Sequence, residues 1–111
     1  MARVRITVVQ RLNRETVLAG ADAGCSSPAP PVCPLFEEGQ TFLADYATMP
    51  EGFCPGAWAD LFRFVLALQS GANFPWVREP GKVLAACNDG FRPVIFRLER
   101  IEGPTGGPSP S

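Results

Sequence analysis

Residues 53–71 read Phe53-Cys54-Pro55-Gly56-Ala57-Trp58-Ala59-Asp60-Leu61-Phe62-Arg63-Phe64-Val65-Leu66-Ala67-Leu68-Gln69-Ser70-Gly71, and their spacing predicts the one long helix of the chain. Trp58, Leu61, Phe62, Val65 and Leu68 recur at helical intervals, and Leu66 widens the stripe, so the helix must be well buried. Pro55 suits the first helical position, where the N–H it lacks would have no partner anyway. Cys54 then falls at the N-cap. Phe53 and Trp58 take the two positions of a hydrophobic staple. Gly71 supplies the stop.

Strand signals flank this helix. Residues 1–10 alternate, with Val4, Ile6 and Val8 set against Arg5, Thr7 and Val9, which argues for a half-buried strand. Asn13-Arg14 reads as a turn into a short partner strand at 16–19, and residues 41–44 read as another strand after Gly39. Downstream, 82–87 and 93–101 form a hairpin joined through Asn88-Asp89-Gly90. Val94, Phe96 and Leu98 face the core there, with Arg97 and Glu99 outward. Pro93 suggests an edge or a bulge at the start of the last strand. Residues 72–76 form a rigid aromatic loop between helix and hairpin. The order describes an α+β fold: one main helix packed on a small, mostly antiparallel sheet.

A length of 111 residues permits one domain with a core of its own. That domain spans 1–102; residues 20–34 are a Pro-rich loop and 103–111 a tail whose composition is that of disorder. Ten basic and eleven acidic side chains give a net charge of −1, without the basic stripe that nucleic acid demands. No apolar run nears the roughly 20 residues of a spanning helix. Arg11, Arg14 and Glu15 interrupt any leader-like segment, so a cytoplasmic protein with no membrane partner is expected. Nine of the ten cations are arginine, a bias that a GC-rich coding sequence produces without any ligand. Oligomeric state is not legible at this level.

The chain contains no histidine, which removes Ser-His-Asp triads, Cys-His dyads, HExxH zinc helices and His-based pH switches. Chemistry must come from thiols, carboxylates or Tyr46. The four cysteines are Cys25, Cys33, Cys54 and Cys87; in a cytosolic protein with an adequate core, free thiols are the default. Cys54 is the sharpest candidate, because the unpaired N–H groups and positive macrodipole end of a helix favour negative charge on sulfur. A small apolar cap under Phe53 and Trp58 is the competing reading. Cys87, at a strand end, is either a second reactive thiol or a buried core cysteine. Cys33 sits in a loop, where packing explains it less well. These three lack a CxxC knuckle, so a Cys-ligated metal is a minor possibility and no cofactor is expected.

Glu37, Glu38, Asp60 and Asp89 are the carboxylates placed to reach a cavity near those thiols; Cys54 or Cys87 would act as nucleophile or acid–base, with Asp89 or Glu38 assisting. The dipole alone explains an Asp60 on the first helical turns, and turn geometry alone explains Asp89. Trp58, Phe74 and Trp76 are candidate pocket aromatics, Trp76 at the wall, and Arg92 is a candidate anchor for an anionic substrate.

Read together, Cys33-Pro34 with Gly39 and Phe42, Gly52-Phe53-Cys54-Pro55, Phe74-Pro75-Trp76, and Cys87-Asn88-Asp89 with Pro93-Val94-Ile95-Phe96 form an ordered set. In this set the chain resembles a family of short uncharacterised bacterial and archaeal proteins, over roughly Val4 to Ile101. The resemblance implies a single small domain and a role as passenger or tailoring enzyme in biosynthetic gene clusters. Relatives often carry a histidine shortly after the first cysteine, where this chain has Leu35-Phe36-Glu37-Glu38; Cys25 lies outside the shared pattern. Three functions remain open. The first is a cofactor-independent isomerase, cyclase or lyase acting on a small molecule. The others are a Cys-ligated metal protein and a non-catalytic binding or accessory module.

Overall fold

A computed structural model describes residues 2–18 and 31–101. The chain forms strand β1 (Arg3–Arg11), helix α1 (Arg14–Leu18), strand β2 (Thr41–Ala44), helix α2 (Pro55–Gln69), and strands β3 (Lys82–Ala86) and β4 (Val94–Ile101). The strands make one sheet in the order β2-β1-β4-β3, antiparallel throughout, with α2 against it. This is the expected α+β architecture. Cys25, most of the Pro-rich loop at 20–34 and the tail at 103–111 lie outside the described residues.

The core is where the two periodicities meet. Val4, Ile6 and Val8 from β1, and Val94, Phe96 and Leu98 from β4, are buried with Leu61, Val65 and Leu68 of α2 in one cluster. Alternation in the strands and the 3.6-residue repeat in the helix each put their apolar set on one face. Arg97 stays outside and Glu99 is half-buried, as the alternation requires. Val9, 38% exposed, falls at a register break between Val8 and Gln10, so β1 carries a bulge that keeps Val8 inward.

Both ends of α2 follow the sequence. Cys54 is the N-cap, with Pro55 first in the helix and the Trp58 N–H donating to the Cys54 carbonyl at 2.9 Å. Phe53 and Trp58 meet edge to face at 6.3 Å, which is the staple. At the other end Gly71 has φ +93°. The Ala72 N–H bonds Ala67 O, and the Gly71 N–H bonds Leu68 O, a Schellman stop. Arg100 of β4 reinforces it by donating to Leu68 O (3.1 Å) and Ala72 O (2.7 Å), a cation at the negative end of the helix.

Two local expectations are corrected. Residues 16–18 belong to helix α1 rather than to a strand, because the Asn13 carboxamide oxygen accepts the Glu15 N–H (2.8 Å) and the Thr16 N–H (3.4 Å). Asn13 therefore starts a helix where a turn was expected. Pro93 marks no edge strand, since β4 is internal, between β1 and β3; the irregularity expected there is the β1 bulge between Val8 and Gln10, opposite Phe96 and Ile95 at the start of β4. Pro93 precedes the first β4 residue, so its missing N–H interrupts no ladder bond, and its carbonyl accepts the Leu12 N–H at 2.9 Å.

Leu61 is fully buried and Leu84 is 61% exposed, so the same truncation separates core from surface. Leu61→Ala is expected to lower unfolding free energy in urea titration by about 2–5 kcal/mol. Leu84→Ala is expected to change it by about 0.5 kcal/mol or less.

Candidate functional site

Cys33, from the segment before β2, Cys54, from the α2 N-cap, and Cys87, one residue beyond β3, are far apart in sequence but line a single cavity of about 280 Å³. Asp60, Asn88 and Asp89 complete its polar lining; Leu35, Phe36 and Ala57 supply an apolar wall. All three cysteines are free and half-buried. The helix brings Cys54 to the floor because Pro55 fixes where α2 begins. The hairpin brings Cys87 opposite because the Cys87 N–H extends the β3–β4 ladder by bonding Val94 O at 3.1 Å.

The three sulfurs differ in what holds them. Cys54 has an extended backbone (φ −74°, ψ 122°), and its side chain makes no capping hydrogen bond. Its Sγ stands 3.8 Å from where a Cβ on Gly56 would be, so the glycine leaves open space beside the sulfur. The Cys87 Sγ accepts the Val94 N–H at 3.3 Å, a structural task. Cys33 is fixed through its backbone, since its carbonyl accepts from Arg11 Nη1 at 3.2 Å.

The carboxylates divide in the same way. Asp60 reaches from the second turn of α2 to accept the Asn88 N–H through Oδ2 at 2.6 Å, tying helix to hairpin across the cavity. Asp89 Oδ1 accepts the Phe91 N–H (2.8 Å) and the Arg92 N–H (3.2 Å), which shapes its own turn. Its residue still borders the cavity. Glu38 does not line it. Its two oxygens take the Arg11 N–H (2.8 Å) and Arg11 Nε (3.0 Å), so it clasps the loop before β2 to the end of β1. Glu37 is likewise outside the lining.

The aromatic candidates are spread out. Trp58 packs on Phe53 and on Phe62 (5.7 Å). Phe74 bridges Phe64 (5.6 Å) and Trp76 (5.1 Å). Trp76, 68% exposed, does border a cavity, but a different one of about 470 Å³ beside β3, with Leu84 and Arg97 and without any cysteine. Arg92 is half-buried after the turn and outside the thiol cavity's lining. Among the described residues, no three of His, Cys, Asp or Glu are grouped so as to hold a metal ion, and no helix is long and apolar enough to cross a membrane.

Arg63 was not singled out from sequence. It stands one turn beyond Asp60 on α2, its guanidinium carbon 4.9 Å over the Phe64 ring. With Asp60, Phe64, Cys87 and Asn88 it lines a further cavity of about 500 Å³ that adjoins the thiol cavity along Asp60, Cys87 and Asn88. The available signal was its i,i+3 relation to Asp60 on a helix whose other face is apolar.

These features define a small α+β protein with a thiol-lined cavity at the start of its main helix. Compared with protein-family models, with curated proteins and with solved structures, the chain finds no match.

The Arg11–Glu38 clasp has a pH signature. The Arg11 N–H, then Glu38's own N–H and the Arg11 side chain, hold the Glu38 carboxyl below its ordinary value. A depressed folded-state value means that the clasp stabilises the fold above the unfolded-state value and is lost as pH falls through the folded one. Glu38→Gln is therefore expected to lower Tm at neutral pH, and the difference from wild type to shrink as the carboxyl is protonated on acidification in scanning calorimetry.

Proposed function

We propose that this chain is a small cofactor-independent tailoring enzyme of isomerase, cyclase or lyase type, serving a specialised biosynthetic pathway in the cytoplasm. Its substrate is a small molecule, and neither nucleic acid nor membrane takes part. The observation that carries this reading is the convergence of Cys33, Cys54 and Cys87 on one cavity with Asp60 and Asp89 at its rim. Buried free cysteines that serve packing alone have no need to share a wall of open space.

Cys54 is the nucleophile or proton donor in this reading. It stands at the positive end of α2, makes no cap hydrogen bond and has open space over Gly56. Addition of its sulfur to an electrophilic carbon would form a C–S bond as a C=C or C=O π bond opens and leave the negative charge on the substrate; reversal would break the C–S bond and free the thiol. Asp60 or Asp89 would exchange the proton that balances it. Cys87 shapes the wall, since its sulfur is engaged by Val94. Cys33 and Phe36 close the apolar side. The pathway assignment extends the resemblance read from the sequence motifs alone.

One observation favours a second reading, a non-catalytic binding module. Trp76 and Leu84 are 68% and 61% exposed beside the larger cavity at β3, a surface that would suit docking more than chemistry.

Alkylation by iodoacetamide, followed peptide by peptide in mass spectrometry, distinguishes the two. Cys54 is expected to react ahead of Cys33 and Cys87. Gly56→Ala should slow it by placing a methyl group about 3.8 Å from the sulfur without destabilising the helix. Cys54→Ser should abolish turnover found in a small-molecule substrate screen while leaving circular dichroism unchanged. Equal reactivity of the three thiols, or full activity in Cys54→Ser, would contradict the enzyme reading.

A further inference from the structure

Asp60 and Arg63 are opposite charges three residues apart on α2, the spacing at which such side chains ordinarily pair. They do not pair. The Asp60 carboxylate is held by the Asn88 N–H at 2.6 Å, and the Arg63 guanidinium lies over the Phe64 ring at 4.9 Å. Both border the polar-walled cavity of about 500 Å³, and Asp60 also borders the mostly apolar thiol cavity next to it. A fixed anion and an exposed cation thus stand on one helix face, separated by about one turn, with an apolar recess beside the anion.

We infer that this groove binds a free α-amino acid with an apolar side chain. The carboxylate sits on Arg63, the ammonium group on Asp60, and the side chain enters the recess lined by Cys33, Cys54 and Ala57. The inference rests on the proposed enzymatic reading and names its substrate class. An α-amino acid carries its two charges on groups attached to one carbon, and Cβ positions three residues apart on a helix are roughly 5–6 Å from each other. One ligand can therefore span both charges. A simple carboxylic acid would satisfy Arg63 but press uncompensated apolar surface or negative charge toward Asp60. A simple amine would leave the Arg63 guanidinium solvated. Asp60 cannot swing away to pair with Arg63, because it joins α2 to the hairpin. The two charges remain available to the ligand.

Isothermal titration calorimetry on the full chain tests this with three probes: L-leucine, 4-methylpentanoate, which lacks the ammonium group, and 3-methylbutylamine, which lacks the carboxylate. L-Leucine should bind, and each truncated probe should bind about tenfold or more weakly, the worth of one charge-assisted hydrogen bond. Arg63→Gln should erase the preference for leucine over the amine. Asp60→Asn, whose amide oxygen can still accept the Asn88 N–H, should erase the preference for leucine over the acid. No heat from leucine, equal affinity for the three probes, or unchanged preferences in both variants would overturn the assignment. Leu84→Ala, at the separate cavity beside β3, should keep leucine affinity within about twofold, since the recognition groups are Arg63 and Asp60. Leucine binding without privileged reactivity at Cys54 would remove the enzymatic reading alone; privileged Cys54 reactivity without leucine binding would remove the substrate class alone.

Discussion

Burial of one face of α2 against β1, β4 and β3 is the constraint on which the rest of the molecule depends. Leu61, Val65 and Leu68 have no exposure, and neither have Val4, Ile6, Phe96 and Leu98 opposite them. Because the helical repeat is fixed, seating these three residues also fixes the rotation of α2 about its axis. That rotation brings Asp60 to the Asn88 N–H. It also leaves Cys54, three residues before Ala57 in the same core, at the edge of the apolar cluster and open to a cavity. Pro55 and Gly71 set where the helix begins and ends, so the N-cap sulfur cannot drift by a residue without unseating the core.

The sheet does for Cys87 what the helix does for Cys54. The β3–β4 register pairs Ala86 with Ile95, and the Cys87–Val94 pair beyond it adds a backbone bond and a bond to sulfur. Cys33 is brought in from a third direction by Arg11, which joins its carbonyl and Glu38 to the end of β1. Three separate devices, a helix cap, a ladder end and an arginine clasp, thus converge on one small volume.

Much of this fold was legible in the residues because its signals are local and periodic. The 53–71 stretch carries its own start, staple, stripe and stop. Residues 41–44 are a strand because Thr41 to Ala44 pair with β1, and the alternation of Val94, Phe96 and Leu98 reads directly as a core face. The failures came where one side chain decides against its neighbours: Asn13 caps a helix that β-favouring Thr16 and Val17 argued against. Strand order is a tertiary property, and it decides whether Pro93 lies near an edge.

The site was legible only in kind. Cys33, Cys54, Cys87 and Asp89 could be singled out as reactive types, but 20 and 32 intervening residues say nothing about convergence. Glu38 reads as a candidate acid until its partner Arg11, 27 residues away in sequence, is seen to take both oxygens. Arg63 was hidden because an arginine on a helix is ordinarily a solvated charge. Whether the three distant thiols share one cavity is read out by a short, rigid bifunctional reagent such as dibromobimane on the folded Cys25→Ser variant. Intramolecular cross-links that join Cys54 to Cys33 or to Cys87 are expected in peptide maps and should disappear on unfolding in urea. Adducts attached at one end only, with no cross-linked peptide in the folded protein, would contradict a shared cavity.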